Sequence, residues 1–237
     1  MSETFDLFWL ALQDCIAALP ITIFLTVVSV LIGLCLAIPL AVISQREKTL
    51  GARLTNGFVY FFTGTPLLVQ LYIFYFGIPS LPAVTNLMQT PGWEFLKEGY
   101  IWVLTALTLN TAAYSTVIFS GAIRNTERGE IEAALAYGMS KAQAMRRVIL
   151  PSSLRRALPA YSNEVIMTMH STALASTVTI VEITGAASYF NSTYYEPFVA
   201  YSAAAVLYLV LNTLLVLAFR QVEKRYLVHL KSRLGSA

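Results

Sequence analysis

Glu164 lies inside an apolar run from about Leu158 to Val181. A carboxylate in such a place is costly unless it is paired or hydrated, so it marks a polar pathway by default. At about 100° per residue on a helix, Glu164 aligns with Ser171, and Asn163 with His170. Two adjacent polar stripes therefore climb this helix, and Thr172 follows Ser171 in the same span. A carboxylate and a histidine so placed suit either a proton relay or the binding of a polar cargo. The plainer reading pairs Glu164 with Arg155 or Arg156 to fix the helix, and leaves His170 as a packing residue. Gln70 stands one turn after Pro66, where its amide and the carbonyls freed by the proline suit a polar ligand, or a simple interhelical hydrogen bond. Asn110 and Tyr114, four apart, share one helical face as a ligand-facing pair or as helix glue.

No nucleophile-base pair and no metal cluster is recognisable, so neither a catalytic nor a metal site is assigned. A membrane enzyme is correspondingly weak as a reading. No Gly-x-x-x-x-Gly-Lys-Ser/Thr loop occurs, so any nucleotide binds elsewhere.

The elements that hold these residues are membrane spans. Hydrophobic residues make up 57% of the chain and charged residues 12%; the mean hydropathy is +0.64. These values, with several apolar runs long enough to span a bilayer, predict an all-α integral membrane protein. Five spans are expected, over about 21–43, 57–78, 100–123, 158–181 and 198–219. Pro20 suits a first helical turn and Pro39 bends an exit. Thr63-Gly64-Thr65-Pro66 breaks the second span, which is tolerated only where protein or a water-filled path surrounds it. The third carries Thr108, Asn110, Thr111, Tyr114, Ser115 and Thr116. Residues 79–99 and 182–197 read as outer segments.

The N-terminus lacks the positive region of a cleaved signal peptide, so the first span is retained. Cys15 and Cys35 lie roughly 30 Å apart if their helix is continuous, too far to pair, and both read as small buried hydrophobes. Five spans place the termini on opposite sides. Of the sixteen Lys and Arg residues, all but Lys97 fall with the 124–156 loop and the C-terminus, including the tail residues Lys231 and Arg233. That side is therefore cytoplasmic and the N-terminus periplasmic. The net charge of +3 is no sign of nucleic-acid binding. One membrane domain, 1–237, accounts for the chain, with no internal repeat.

Residues 130–151 form a polar, alanine-rich island. Glu130 to Tyr137 favour helix, Gly138 suits the left-handed residue that closes it, and Ser140 with Gln143 is a capping box opening a second helix. Pro151 is expected to stop that second helix. Ala133 and Ala134 make a bald patch for close approach, flanked by Met139, Met145, Val148 and Ile149.

The spacing of Glu132, Ala133, Ala134, Gly138, Val148, Leu150 and Pro151 resembles the cytoplasmic coupling loop of ABC importer permeases, with Val148 where isoleucine is usual. The resemblance implies the type I permease fold and a loop (about 124–156) that docks on an ATPase subunit through Glu132, Ala133, Ala134, Gly138 and Met139. Gly64 to Gln70 and Ser162 to Ile166 resemble the polar amino-acid branch. Met169 to Ala175 narrows the resemblance to membrane subunits of histidine, lysine, arginine and ornithine uptake systems. It implies a second homologous permease, a dimeric ATP-binding subunit that holds ATP and Mg, a periplasmic binding protein, and a place among the lipids of a bacterial inner membrane. No cofactor is implied for this chain.

Two departures stand out. Thr63 and Val117 replace the arginine and glutamate common in relatives, so the partner permease is expected to hold a cationic side chain while Gln70, Asn110, Tyr114, Glu164, His170 and Thr172 line the pathway. The rival from another class is a channel or proton-coupled carrier that uses Glu164 and His170. It has no need of a docking loop. Other polar amino acids and opines stay open as cargo.

Overall fold

The computed structural model describes residues 2–46 and 48–226. Lys231 and Arg233 lie outside them. Every regular element among the described residues is helical. Three helices are long and apolar enough to cross a membrane singly: α1 (Ser2–Ser44), α5 (Gly99–Arg124) and α10 (Pro197–Tyr226). Two bent pairs bring the number to five if each counts as one span. In the first, α2 (Leu50–Gly64) turns by 105° into α3 (Leu67–Tyr72) and its π turn Ile73–Gly77. In the second, α7 (Lys141–Ala144), a π turn (Met145–Ile149), α8 (Leu150–Ser171) and a 3-10 segment (Thr172–Val178) run into α9 (Ile183–Tyr194), with a bend of 43°.

Several boundaries differ from the sequence expectation. With 43 residues, α1 is roughly 65 Å long at 1.5 Å per residue, about twice the ~30 Å hydrocarbon core. Pro20 and Pro39 both sit inside it, so Pro20 does not open a helix. The amide that Pro20 lacks costs one helical bond, which packing offsets: Ala11, Cys15 and Ala18 form a small-residue seam against Ala187 and Phe190 of α9 and Ala200 and Ala203 of α10. Cys15 is buried as expected, but Cys35 is exposed on the same helix. Nor does Pro151 stop a helix. It occupies the first turn of α8, where its missing amide is cheap, and the π turn before it carries the chain through, with the Leu150 amide donating to the Met145 carbonyl.

The outer segments are helical in part. Residues 79–99 contain α4 (Pro82–Met88) and the 3-10 turn Glu94–Lys97. Residues 182–197, read as an outer segment, hold α9. Its helix is capped by Glu182, whose Oε1 accepts the Gly185 amide at 2.9 Å.

Helix α5 is the centre of the bundle, packed against α1, α2, α3 and α8. Its tightest approach is at Gly33 of α1, where a β-carbon would stand 2.6 Å from Thr111 Cγ2. Only glycine fits there, and the contact fixes Thr111 beside the polar cavity.

Candidate functional site: a polar cavity and a docking loop

The break between α2 and α3 leaves backbone carbonyls that a continuous helix would use, and Gln70 takes them up. Its Nε2 donates to the carbonyls of Phe62 at 2.9 Å and Thr65 at 3.0 Å and meets Thr65 Oγ1 at 2.8 Å. Its Oε1 accepts from Asn110 Nδ2 at 3.0 Å, while Asn110 also reaches the Phe62 carbonyl at 3.3 Å. Gln70 is 1% exposed, so it holds the break from behind, the interhelical hydrogen bond of the plainer reading. Tyr114 Oη donates to the Thr63 carbonyl at 3.4 Å, adding a second tie from α5 to the break.

In front of the break lies a cavity of about 280 Å³, lined by Thr65, Pro66 and Leu67, by Leu107, Asn110 and Tyr114 of α5, and by Glu164, Met167, Thr168 and Ser171 of α8. The structure thus brings Asn110, Tyr114 and Glu164 together. The α8 residues are spaced i, i+3, i+4, i+7, one helical face. Thr168, one turn above Glu164, was legible from that periodicity and was missed; Thr111 was named only as part of the polar set. Thr111 Oγ1 donates to Glu164 Oε1 at 2.9 Å, and Thr168 Oγ1 stands 3.0 Å from Thr111 Oγ1 and 3.4 Å from Glu164 Oε1. The pairing of Glu164 with Arg155 or Arg156 does not occur. Arg155 is exposed, and Arg156 Nη1 lies 3.4 Å from Glu130. Eight residues at about 1.5 Å each separate Arg156 from Glu164 along α8, too far for contact.

Two predicted residues lie off this cavity. His170 is exposed on the Asn163 side of α8, with its ring 6.5 Å from that of Tyr208. Thr172 is fully buried and donates to the Met169 carbonyl at 2.6 Å. Val117 is 48% exposed, an apolar surface on the α5 face that carries Asn110 and Tyr114.

A second carboxylate, unlike Glu164 a buried one, went unnoticed in the sequence. Glu182 is wholly buried; its Oε2 accepts from Tyr208 Oη at 2.6 Å, and Thr184 Oγ1 lies 3.2 Å from the same hydroxyl. It thereby joins α9 to α10. Tyr208→Phe keeps the ring but leaves a buried carboxylate oxygen without its donor. It should cost about 1 to 3 kcal/mol, seen as a lower melting temperature of the purified protein, and Thr184→Val should cost less.

The loop between α5 and α8 holds α6 (Arg128–Ala136), then Gly138 at φ +80°, then Ser140, whose hydroxyl and Gln143 form the predicted capping box. The bald patch is narrower than expected. Ala134 is 4% exposed and packs on the bundle, because a helix one turn from its anchors must bury one face. Glu132, Ala133 and Gly138 face outward, and Met139 packs inward with Met145 and Val148. Tyr137, 87% exposed beside Gly138, adds a large aromatic to the outward face and was not singled out.

The chain as a whole has clear counterparts among known proteins. Residues 29–228 match the model for "Binding-protein-dependent transport system inner membrane component". The chain belongs to that family. The permease is 47% identical, over 90% of each chain, to the histidine/lysine/arginine/ornithine transport system permease protein HisM of Salmonella typhimurium. It is 38% identical to the octopine transport system permease protein OccM of Rhizobium meliloti, over 91% of this chain and 86% of that one. Among solved structures it is similar to an amino acid ABC transporter solved with histidines, with a TM-score of 0.76 and 28% identity over 95% of this chain and 96% of that one. The MetNI methionine ABC transporter in an inward-facing form shares the fold, with a TM-score of 0.68 and 18% identity over 95% and 99% of the two chains. The permease is thus a membrane component of an ABC importer for amino acids, as the resemblances of the 130–151 loop and of the Gly64–Gln70 and Ser162–Ile166 segments implied.

Proposed function

We propose that this permease carries basic amino acids such as histidine, lysine, arginine or ornithine inward, driven by ATP hydrolysis in partner subunits. The observation that carries an amino-acid cargo is Glu164, and the basic class rests on the likeness to HisM. Glu164 is a carboxylate on a cavity wall with hydroxyl partners and no lysine or arginine among the described lining residues. A half-buried carboxylate without a counter-cation favours a cationic group beside it. The identity to HisM agrees with this reading.

Glu164 receives the α-ammonium group of the cargo, while Asn110 and Tyr114 shape the cavity around it. Gln70 positions the α2–α3 break. The apolar Val117 leaves the side-chain cation to a carboxylate of a second, homologous permease, and the outward stripe of Asn163 and His170 suits protein or water better than lipid. Thr172 supports the pathway from behind. Glu132, Ala133 and Gly138, steadied by Met139, dock on a dimeric ATP-binding subunit that holds ATP and Mg, and a periplasmic binding protein delivers the cargo. The chain performs no hydrolysis itself. The whole chain acts as one membrane domain in the bacterial inner membrane.

The test copurifies the complex and measures its ATPase with binding protein loaded with each of a panel of amino acids. Stimulation by basic amino acids supports the reading. Stimulation confined to opines or neutral amino acids overturns it.

The charge distribution supports a periplasmic N-terminus and a cytoplasmic C-terminus. A cysteine at Gln89 should therefore react with an impermeant maleimide in intact cells. One at Ser232, outside the described residues, should not. The reverse pattern would invert the topology.

A further inference from the structure

The loop touches the bundle in two different ways. Ile131, Met139, Met145 and Val148 pack on it through apolar contact, which is non-directional and holds the loop close without fixing its angle. The other attachment is a cluster of polar groups from three stretches of chain. Thr126 comes from the turn after α5, Glu130 from the first turn of α6, and Ser152, Ser153 and Arg156 from the start of α8.

Arg156 joins them. One terminal nitrogen, Nη1, faces Glu130 Oε1 and Oε2 at 3.4 and 3.5 Å and donates to Ser152 Oγ. The other, Nη2, donates to Thr126 Oγ1 at 2.9 Å and Ser153 Oγ at 3.3 Å. Ser152 Oγ donates in turn to Glu130 Oε2 at 3.0 Å, and the Thr126 and Ser153 hydroxyls lie 3.1 Å apart. Thr126 and Ser153 are buried, so these bonds are shielded from competing water. A planar guanidinium can serve α6 and the end of α5 together because its donors diverge at fixed angles. A lysine ammonium is a single point and cannot.

We propose that Arg156 is the positioning residue that converts movement of the docking loop into movement of α8, and so of Glu164 on the cavity wall. Directional bonds to both sides make α6 and the first turns of α8 move as one body. The α8 helix then carries the displacement over about 12 Å, eight residues at 1.5 Å each. This inference rests on the reading of the loop as the part that receives force from an ATPase.

The experiment uses the whole transporter in proteoliposomes and measures ATP hydrolysis per assembled complex with and without loaded binding protein. In Arg156→Met the complex should assemble and hydrolyse ATP alone, but stimulation by loaded binding protein should fall about fivefold or more, the lower end of typical coupling between distant sites. Arg156→Lys and Glu130→Gln, milder changes that guard against misassembly, should lie between. Exchange of the pair, Glu130→Arg with Arg156→Glu, should recover part of the loss. A full stimulation ratio in Arg156→Lys and Glu130→Gln, or a lower yield of complex with the ratio intact in Arg156→Met, would reduce Arg156 to a packing role and overturn the proposal. A wild-type complex that no loaded binding protein stimulates would overturn the importer reading itself.

Discussion

Gly138→Asp should leave the permease inserted at wild-type levels and abolish its ATP-driven uptake. Gly138 adopts φ +80°, and a β-carbon there would meet nothing within 4 Å. The substitution therefore clashes with no part of the bundle, and insertion survives. Aspartate tolerates the left-handed region better than most residues, so backbone strain contributes about 1 to 2 kcal/mol at most. The larger effect is electrostatic, because docking on the ATP-binding subunit would bury a carboxylate with no partner. A combined cost of about 3 kcal/mol lowers uptake roughly a hundredfold, at 1.4 kcal/mol per factor of ten. Gly138→Asn, which shares the conformational tolerance without the charge, should keep much of the activity. The check is initial uptake rate normalised to membrane-embedded permease; wild-type uptake by Gly138→Asp would sink the docking role.

Glu164→Gln should weaken transport of every amino acid the system carries by roughly ten- to a hundredfold, the worth of a hydrogen bond between charged groups at about 1.5 to 3 kcal/mol. Glutamine can still accept from Thr111 and Thr168, so the helix packing persists and the loss falls on the cargo. Because Glu164 is assigned to the α-ammonium group, the ratio between basic and neutral cargo should hardly change. A selective loss of basic cargo would move the side-chain cation onto Glu164 and remove the division of labour with the second permease.

Much of this arrangement was legible because it is local. Gly138 and the Ser140–Gln143 box announce themselves within a few residues, and Pro66 marks the α2–α3 break by the amide it lacks. Asn110 and Tyr114 were placed on one face by spacing alone, and both line the cavity. What the sequence hid depends on distant partners. Helix α9 carries Asn, Ser and two tyrosines, and its helical state owes much to Ala186, Ala187 and Phe190 packing on α1 and α10. Pro20 and Pro151 look like boundaries, yet packing and a π turn carry the chain past them. Gln70 suited either a ligand or an interhelical hydrogen bond, and only the fold brings near the carbonyls that consume its amide. The Arg156–Glu130 pair spans 26 residues, and nothing local in either residue names the other.

The most direct measurement of the central claim is uptake of radiolabelled arginine into proteoliposomes holding the complete transporter. Arginine should accumulate when ATP and loaded binding protein are supplied on their proper sides, continue when the proton gradient is collapsed, and stop when hydrolysis is blocked. Accumulation that follows the proton gradient and ignores ATP would contradict the account.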